Sequence, residues 1–220
     1  MDTSNIIKNI DIFKGLTTDE FNLLCKSIKT KFVKKNTLIF SKGDENQSIY
    51  ILKEGCVDVF ILTETGKELI LSSLGQGDYF GELSLLDSEP VSANIIATTD
   101  SILFMLNKMD LFQIMKNNSF VLSNVINHLC VKVRDLTDKV ESFALLDVYH
   151  RFTLLLTDLS ETNKEGLSVV DRSLTHKNIA LRIGSSREMV SRIIRDLESG
   201  GYISIENKVI TIHKTLPLSW

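Results

Sequence analysis

The sequence predicts an α+β chain in three parts: an N-terminal antiparallel β-roll, a long helix, and a C-terminal helix-turn-helix with a two-stranded wing. Three observations carry this. Residues 31–106 hold short runs rich in β-branched and aromatic residues, punctuated by glycines. Residues 122–143 carry an apolar repeat at alternating spacings of four and three. Residues 174–213 hold two short amphipathic stretches meeting at a glycine, then two alternating apolar runs.

Residues 1–30 read as helical on Ile6, Ile7, Ile10, Leu16, Phe21, Leu23, Leu24 and Ile28. Six strands are expected next: TLIF (37–40), SIYIL (48–52), CVDVFIL (56–62), ELILSSL (68–74), ANIIAT (93–98) and SILFML (101–106). Gly43, Gly55, Gly66, Gly75, Gly77 and Gly81 supply turns between them. Many short strands with glycine turns argue for a roll or barrel.

After Met109 the pattern turns helical. Leu122, Ile126, Leu129, Val133, Leu136, Val140 and Phe143 form a heptad seam, and charged neighbours lie off it. A seam this regular over three heptads favours a two-stranded coiled coil, hence a homodimer, over a helix packed on its own domain alone. No proline or glycine interrupts the chain between Val91 and Tyr149. FALLDVYHRFTLLLTDLS (143–160) reads as a further amphipathic helix capped by Asp147, and SETNKEG (160–166) as polar turn material. The predicted domains are 1–110, 111–145 and 146–220.

Residues 174–198 read LTHKNIALRIGSSREMVSRIIRDLE. A short helix meets Gly184, and a second begins at Ser185 or Ser186 as cap. At 100° per residue, Met189, Val190, Ile193, Ile194 and Leu197 share a side expected to be buried. The far side shows Glu188, Ser191, Arg192 and Arg195, with Arg187 at its margin. Such a face suits a major groove: arginine pairs with O6 and N7 of guanine, and glutamate accepts from the cytosine amine. The cap serine and the free N–H groups at the helix start suit a phosphate. GGYISIENKVITIH (200–213) then alternates around an Asn207-Lys208 turn, as a wing would.

Composition agrees with a globular chain, at 43% hydrophobic and 24% charged residues over 220 positions. No apolar run reaches the roughly 18 residues of a membrane span. The opening residues lack the basic region and apolar core of a signal peptide, so a cytoplasmic location is expected. Cys25, Cys56 and Cys130 are scattered and suit a reducing compartment. Residues 171–220 carry eight basic and five acidic side chains on an otherwise acidic chain, which hints at an anionic partner.

Several motifs together resemble the Crp/Fnr family of bacterial transcription regulators. GSSREMVSRIIRDLE (184–198) is similar to the family's recognition helix, LGQGDYFGELSLL (74–86) to a segment of its sensor domain, and FALLDVYHR (143–151) to the hinge after its dimer helix. The resemblance implies a β-roll of the cyclic-nucleotide-binding type, a dimerisation helix and a winged helix. It implies double-stranded DNA as partner, read at half-sites of the TGTGA or TTGA kind through Arg187, Glu188, Ser191 and Arg192. Thr175 and His176 would contact phosphates, and RNA polymerase is a further implied partner.

In that family a loop running from Gly-Glu to Arg-Ser-Ala holds the cyclic phosphate, and its glutamate takes the ribose hydroxyl. Gly81, Glu82, Ser92 and Ala93 fit the pattern, and Leu83 is placed with them in the expected pocket. Val91 stands at the arginine position, and the loop looks about one residue short. A phosphate leaving water must recover its solvation from donors and opposite charge. Valine offers neither, and losing a charge-assisted bond of about 1.5–3 kcal/mol weakens binding roughly tenfold to a hundredfold. Leu136 and Thr137 stand where cyclic-AMP-responsive members place a Thr-Ser pair against the adenine. Loss of cyclic-AMP binding is therefore expected; another small effector, or DNA binding with none, remains open, and no cofactor is expected.

Other chemistries find less support. An iron–sulfur sensor needs about four thiolates, and only Cys25 lies near the N-terminus. His128, His150, His176 and His213 show no metal-ligand spacing. Gly75, Gly77 and Gly81 sit between strands and open no dinucleotide-binding helix. No paired acid and base or nucleophile motif marks an enzyme. The remaining alternative is a ligand-binding module whose helix-turn-helix docks protein instead of DNA.

Overall fold

Apolar runs that alternate toward two different cores organise the first half of the chain in the computed structural model, which describes residues 3–163, 166–170 and 174–217. Contacts divide the chain into two units, Met1–Arg134 and Asp135–Trp220.

The first unit opens with α1 (Thr3–Lys8), a 3₁₀ turn (Asp11–Phe13) and α2 (Thr18–Ser27). Thr17 and Glu20 start α2 by capping each other's backbone N–H. Strands β1 (Lys29–Val33), β2 (Leu38–Phe40), β3 (Ser48–Glu54), β4 (Val57–Leu62), β5 (Glu68–Leu74) and β6 (Tyr79–Phe80) follow. A short helix α3 (Glu82–Asp87) precedes β7 (Asn94–Ala97) and β8 (Ser101–Asn107). The strands form two antiparallel four-stranded sheets, ordered β1-β8-β3-β6 and β2-β7-β4-β5. In β3, Tyr50 and Leu52 face the interior of the roll with Phe80, Ile95 and Leu103. Ile49 and Ile51 face the opposite way, packing with Phe104, Leu106 and the N-terminal helices. A strand covered on both faces reads as a continuous apolar run, as SIYIL does.

Helices α4 (Lys108–Asn117) and α5 (Ser119–Leu145) close this part of the chain, α5 continuing into the second unit. The single helix expected from residue 111 is thus two. Asn118 divides them: its side-chain oxygen accepts from the N–H groups of Phe120 (3.0 Å) and Val121 (3.3 Å), which starts α5 anew. Its amide donates to Gly15 O (3.2 Å) and Glu20 Oε2 (3.0 Å), anchoring the break. Two other expectations change. Residues 29–33, read in part as the end of a helix, form β1, and residues 160–166 include a strand.

The second unit continues with α6 (Val148–Leu159), β9 (Glu161–Thr162), β10 (Ser168–Val170), α7 (His176–Ile183), α8 (Arg187–Ser199), β11 (Ile203–Glu206) and β12 (Val209–Ile212). Asp147 caps α6 by accepting from the His150 N–H at 2.8 Å, which holds its carboxyl below the usual carboxylate range. The four strands form one antiparallel sheet, β11-β12-β10-β9. Phe152 and Leu156 of α6 pack with Ile179, Ile183, Val190, Ile194, Leu197 and Ile210.

Candidate DNA interface and sensor loop

The interface begins with how α8 is held. Gly184 ends α7 in the left-handed region (φ 62°), where a side chain is disfavoured, and turns the chain sharply. Ser186 caps α8, its oxygen accepting from the Met189 N–H at 3.2 Å. Val190, Ile193, Ile194 and Leu197 are buried, each contributing about 1.5–3 kcal/mol of burial. Met189, expected on that buried side, is 36% exposed, because it sits in the first turn of α8 at the edge of the apolar face. Arg187, Glu188, Arg192 and Arg195 are exposed along the other side. Anchored on one face, α8 presents these four side chains outward.

Ser191 sits differently from its neighbours. Its hydroxyl donates to Arg187 O (2.9 Å), and its oxygen lies 2.7 Å from His176 Nδ1. With its one proton committed, Ser191 accepts from His176 and links the start of α7 to α8. His176 Nε2 keeps its own hydrogen-bonding capacity. Thr175 caps α7 by accepting from the Asn178 N–H at 3.1 Å, which leaves the hydroxyl proton of this exposed residue to donate elsewhere. In the wing, Glu206 pairs with Val209 across a two-residue turn in which Asn207 (φ 50°) and Lys208 (φ 68°) are both left-handed. That is the hairpin turn matched to strand twist. The exposed Lys208 at its tip carries a charge that the sequence reading left without a role.

The sensor loop has the opposite character. Residues 82–87, part of the expected loop, form the helix α3. Gly81 precedes it at φ 85°, and a Cβ there would meet Asn46 Nδ2 at 2.8 Å. Asn46, buried, faces Ser48 O (2.8 Å), Gly81 O (3.0 Å) and Ser84 Oγ (3.2 Å) with its amide nitrogen, so it ties the glycine to β3. Sequence reading missed Asn46, since its partners lie up to 38 residues away. Val91 is a core residue. Its N–H donates to Asp44 O (2.9 Å) and its carbonyl accepts from Gly43 (2.8 Å). The Glu89 N–H is taken by Asp87 Oδ1 (2.9 Å), and Pro90 has none. Ala93 is buried, while Leu83 and Ser92 are exposed.

Glu82 is 4% exposed, and its carboxylate is in ion-pair contact with Lys132 of α5. A glutamate expected to receive a ligand hydroxyl therefore already has a cation.

Comparisons with known proteins agree on what this arrangement belongs to. The family model described as cyclic nucleotide-binding domain matches residues 30–118, and that of the Crp-like helix-turn-helix domain matches residues 150–216. Over 191 residues the chain is 31% identical to the cAMP-activated global transcriptional regulator CRP of Salmonella typhimurium, covering 84% of this chain and 89% of that protein. This chain belongs to the Crp/Fnr family. It is a DNA-binding transcription regulator of the Crp/Fnr type. The cAMP-activated global transcriptional regulator Vfr of Pseudomonas aeruginosa is 27% identical over 202 residues, 88% of this chain and 92% of that protein. The structure of the c-di-GMP responsive global regulator CLP from Xanthomonas campestris superposes with a TM-score of 0.76 at 22% identity, covering 90% of this chain and 100% of that one; it speaks to the fold.

In this Crp/Fnr chain, α5 presents two rows of side chains. Val121 and Val125 are buried, and His128 and Lys132 extend their row along the helix face that meets the roll. On the other row, Leu122, Ile126, Val133, Leu136, Val140 and Phe143 are exposed, from 38% at Phe143 to 68% at Val140. Leu129 departs from the expected seam by packing in part against the N-terminal core. Thr137 is exposed beside Leu136. Among the described residues no helix is long and apolar enough to cross a membrane, and no three His, Cys, Asp or Glu side chains group to hold a metal.

Proposed function

We propose that this regulator acts in the cytoplasm as a homodimer, zipped along the exposed row of α5, and reads two-fold symmetric DNA sites through α8 without cyclic AMP. The observation that carries the reading is the exposed face of Arg187, Glu188, Arg192 and Arg195 on a helix whose other face is buried. Arg192 and its neighbours pair with guanines and Glu188 accepts from cytosine, while Ser186, Thr175, His176, Arg195 and Lys208 approach phosphates. Ser191 acts chiefly by fixing His176. The six exposed apolar residues of α5 form the kind of row that a second copy covers. RNA polymerase is a further partner by family membership.

Several relatives are named for activation by cAMP. What argues against the same ligand here is the loop: Val91 supplies no charge, and the N–H groups of Glu89 and Val91 are spent inside the protein. The test is binding to a selected duplex with half-sites about 34 Å apart. Arg192→Ala should cost about 1–3 kcal/mol of preference at one position of the site and leave non-specific binding nearly unchanged. Unchanged selectivity, or a monomer in sedimentation equilibrium, contradicts the proposal. Cyclic AMP should leave the thermal midpoint unmoved, whereas a ligand at a hundred times its Kd would add about 2.7 kcal/mol.

A further inference from the structure

The bond between His176 and Ser191 fixes more than the spacing of two helices. Ser191 has one hydroxyl proton, and it goes to Arg187 O (2.9 Å), the back-bond a serine makes within a helix. The 2.7 Å contact with His176 Nδ1 therefore takes its proton from the ring. A neutral imidazole has one N–H, so with Nδ1 donating, Nε2 carries a lone pair. Half-buried His176 leaves Nε2 open to solvent, with no hydrogen-bond partner among the described residues. On α7 the other charged groups are Lys177 and Arg182; nearest to Ser191 on α8 are Arg187, Glu188, Arg192 and Arg195. Only Glu188 among them is acidic, and none forms an ion pair with His176 among the described residues. Asp171 and Arg172 lie outside those residues.

A phosphate oxygen in duplex DNA only accepts. The neutral ring in this tautomer would meet it lone pair to lone pair. A second proton removes the conflict and keeps every bond: Ser191 still donates to Arg187 O, Nδ1 still donates to Ser191, and Nε2 donates to the phosphate with a full charge behind it. Reversing the tautomer instead would break the bond from Ser191 to Arg187 O and give a neutral contact, about half as strong as a charge-assisted one. We propose that Ser191, by holding His176 in the Nδ1–H form, makes this phosphate contact proton-linked: each protomer takes up a proton at His176 as it seats on DNA, and affinity falls as the pH rises. The proposal rests on the reading that α8 and the start of α7 face DNA, and it gives Ser191 a positioning role that its place on the recognition helix alone does not.

Nitrogen NMR of the full chain, with no DNA present, tests the tautomer. Above about pH 7.5, His176 should show a protonated Nδ1 and a bare Nε2, and the reverse pattern overturns the proposal. Calorimetry with the selected duplex counts protons, in two buffers of different ionisation heat at one pH and one salt concentration. At about pH 7 the wild-type chain should take up more protons than His176→Gln, by up to about one per protomer. Between about pH 6 and 8, wild-type affinity should fall by up to about tenfold per pH unit per protomer, and less steeply in His176→Gln. Ser191→Ala frees Nδ1, lets the neutral ring present Nε2–H, and should bring the uptake down toward that of His176→Gln. Uptake at the wild-type level in Ser191→Ala overturns the proposal. So does equal uptake in wild type and His176→Gln when both bind the duplex, and the DNA reading then survives. If the wild-type chain does not prefer the selected duplex to a random one, the DNA reading itself fails and takes the proton linkage with it.

Discussion

The recognition face of α8 and the loop at residues 81–93 use polar side chains in opposite ways. On α8, Arg187, Glu188, Arg192 and Arg195 stand exposed and outside every ion pair seen among the described residues. In the loop, Glu82 is buried and paired, Asn46 spends its amide on backbone, and Val91 replaces a charge with core packing. The first surface is charged and unspoken for. In the second, Glu82, Asn46 and the N–H groups of Glu89 and Val91 have partners inside the protein. The difference teaches that a side chain's partners, and not its type alone, decide whether it faces solvent or is spent inside the protein.

Three changes would break or sharpen that contrast. The largest effect is expected from Leu197→Ala, which touches nothing outside the second unit's core. It should destabilise that unit by about 2–5 kcal/mol in urea unfolding and weaken DNA binding although no exposed group is altered. A cost under about 1 kcal/mol would mean that packing does not hold the recognition face. Asn46→Ala comes next. It leaves the carbonyls of Ser48 and Gly81 short of a donor and should cost about 1–3 kcal/mol by denaturant titration, with DNA specificity unchanged.

The smallest effect is a pH dependence at His128. Burial first, and then the charge of Lys132, lower its pKa below 6.5, while Glu82, Asp78 and Asp11 act the other way. The unfolded chain therefore takes up a proton as the pH falls through 6.5, before the folded chain does. Stability contributed by the neutral ring is full above that point and is lost between it and the lower folded value. His128→Gln should flatten this part of the thermal-midpoint profile, and an unchanged slope would show that another group titrates there.

Local signals made the second unit legible. The apolar period of α8, Gly184 and Ser186 each act within a few residues, and the Asn207-Lys208 turn stands between two alternating runs. In the roll, β3 and β8 showed as apolar runs because both their faces are covered. β1 did not, since four of its five residues are exposed and no alternation marks it. The break at Asn118 carries neither proline nor glycine; it depends on Gly15 and Glu20, about a hundred residues earlier. The pairing of Glu82 with Lys132 left no local trace, because two ordinary surface residue types become partners only once α3 and α5 meet. The loop was therefore readable in its residues but not in the partners of its buried groups.

Over residues 121–133 the two rows on α5 share the same helical turns. A slide or roll that unseats Val125, His128 and Lys132 must shift Ile126 and Val133 by a like amount, on a scale of about 1.5 Å for each residue of slip. If two copies pair along α5 as proposed, grip on the roll and register between copies become a single mechanical coordinate.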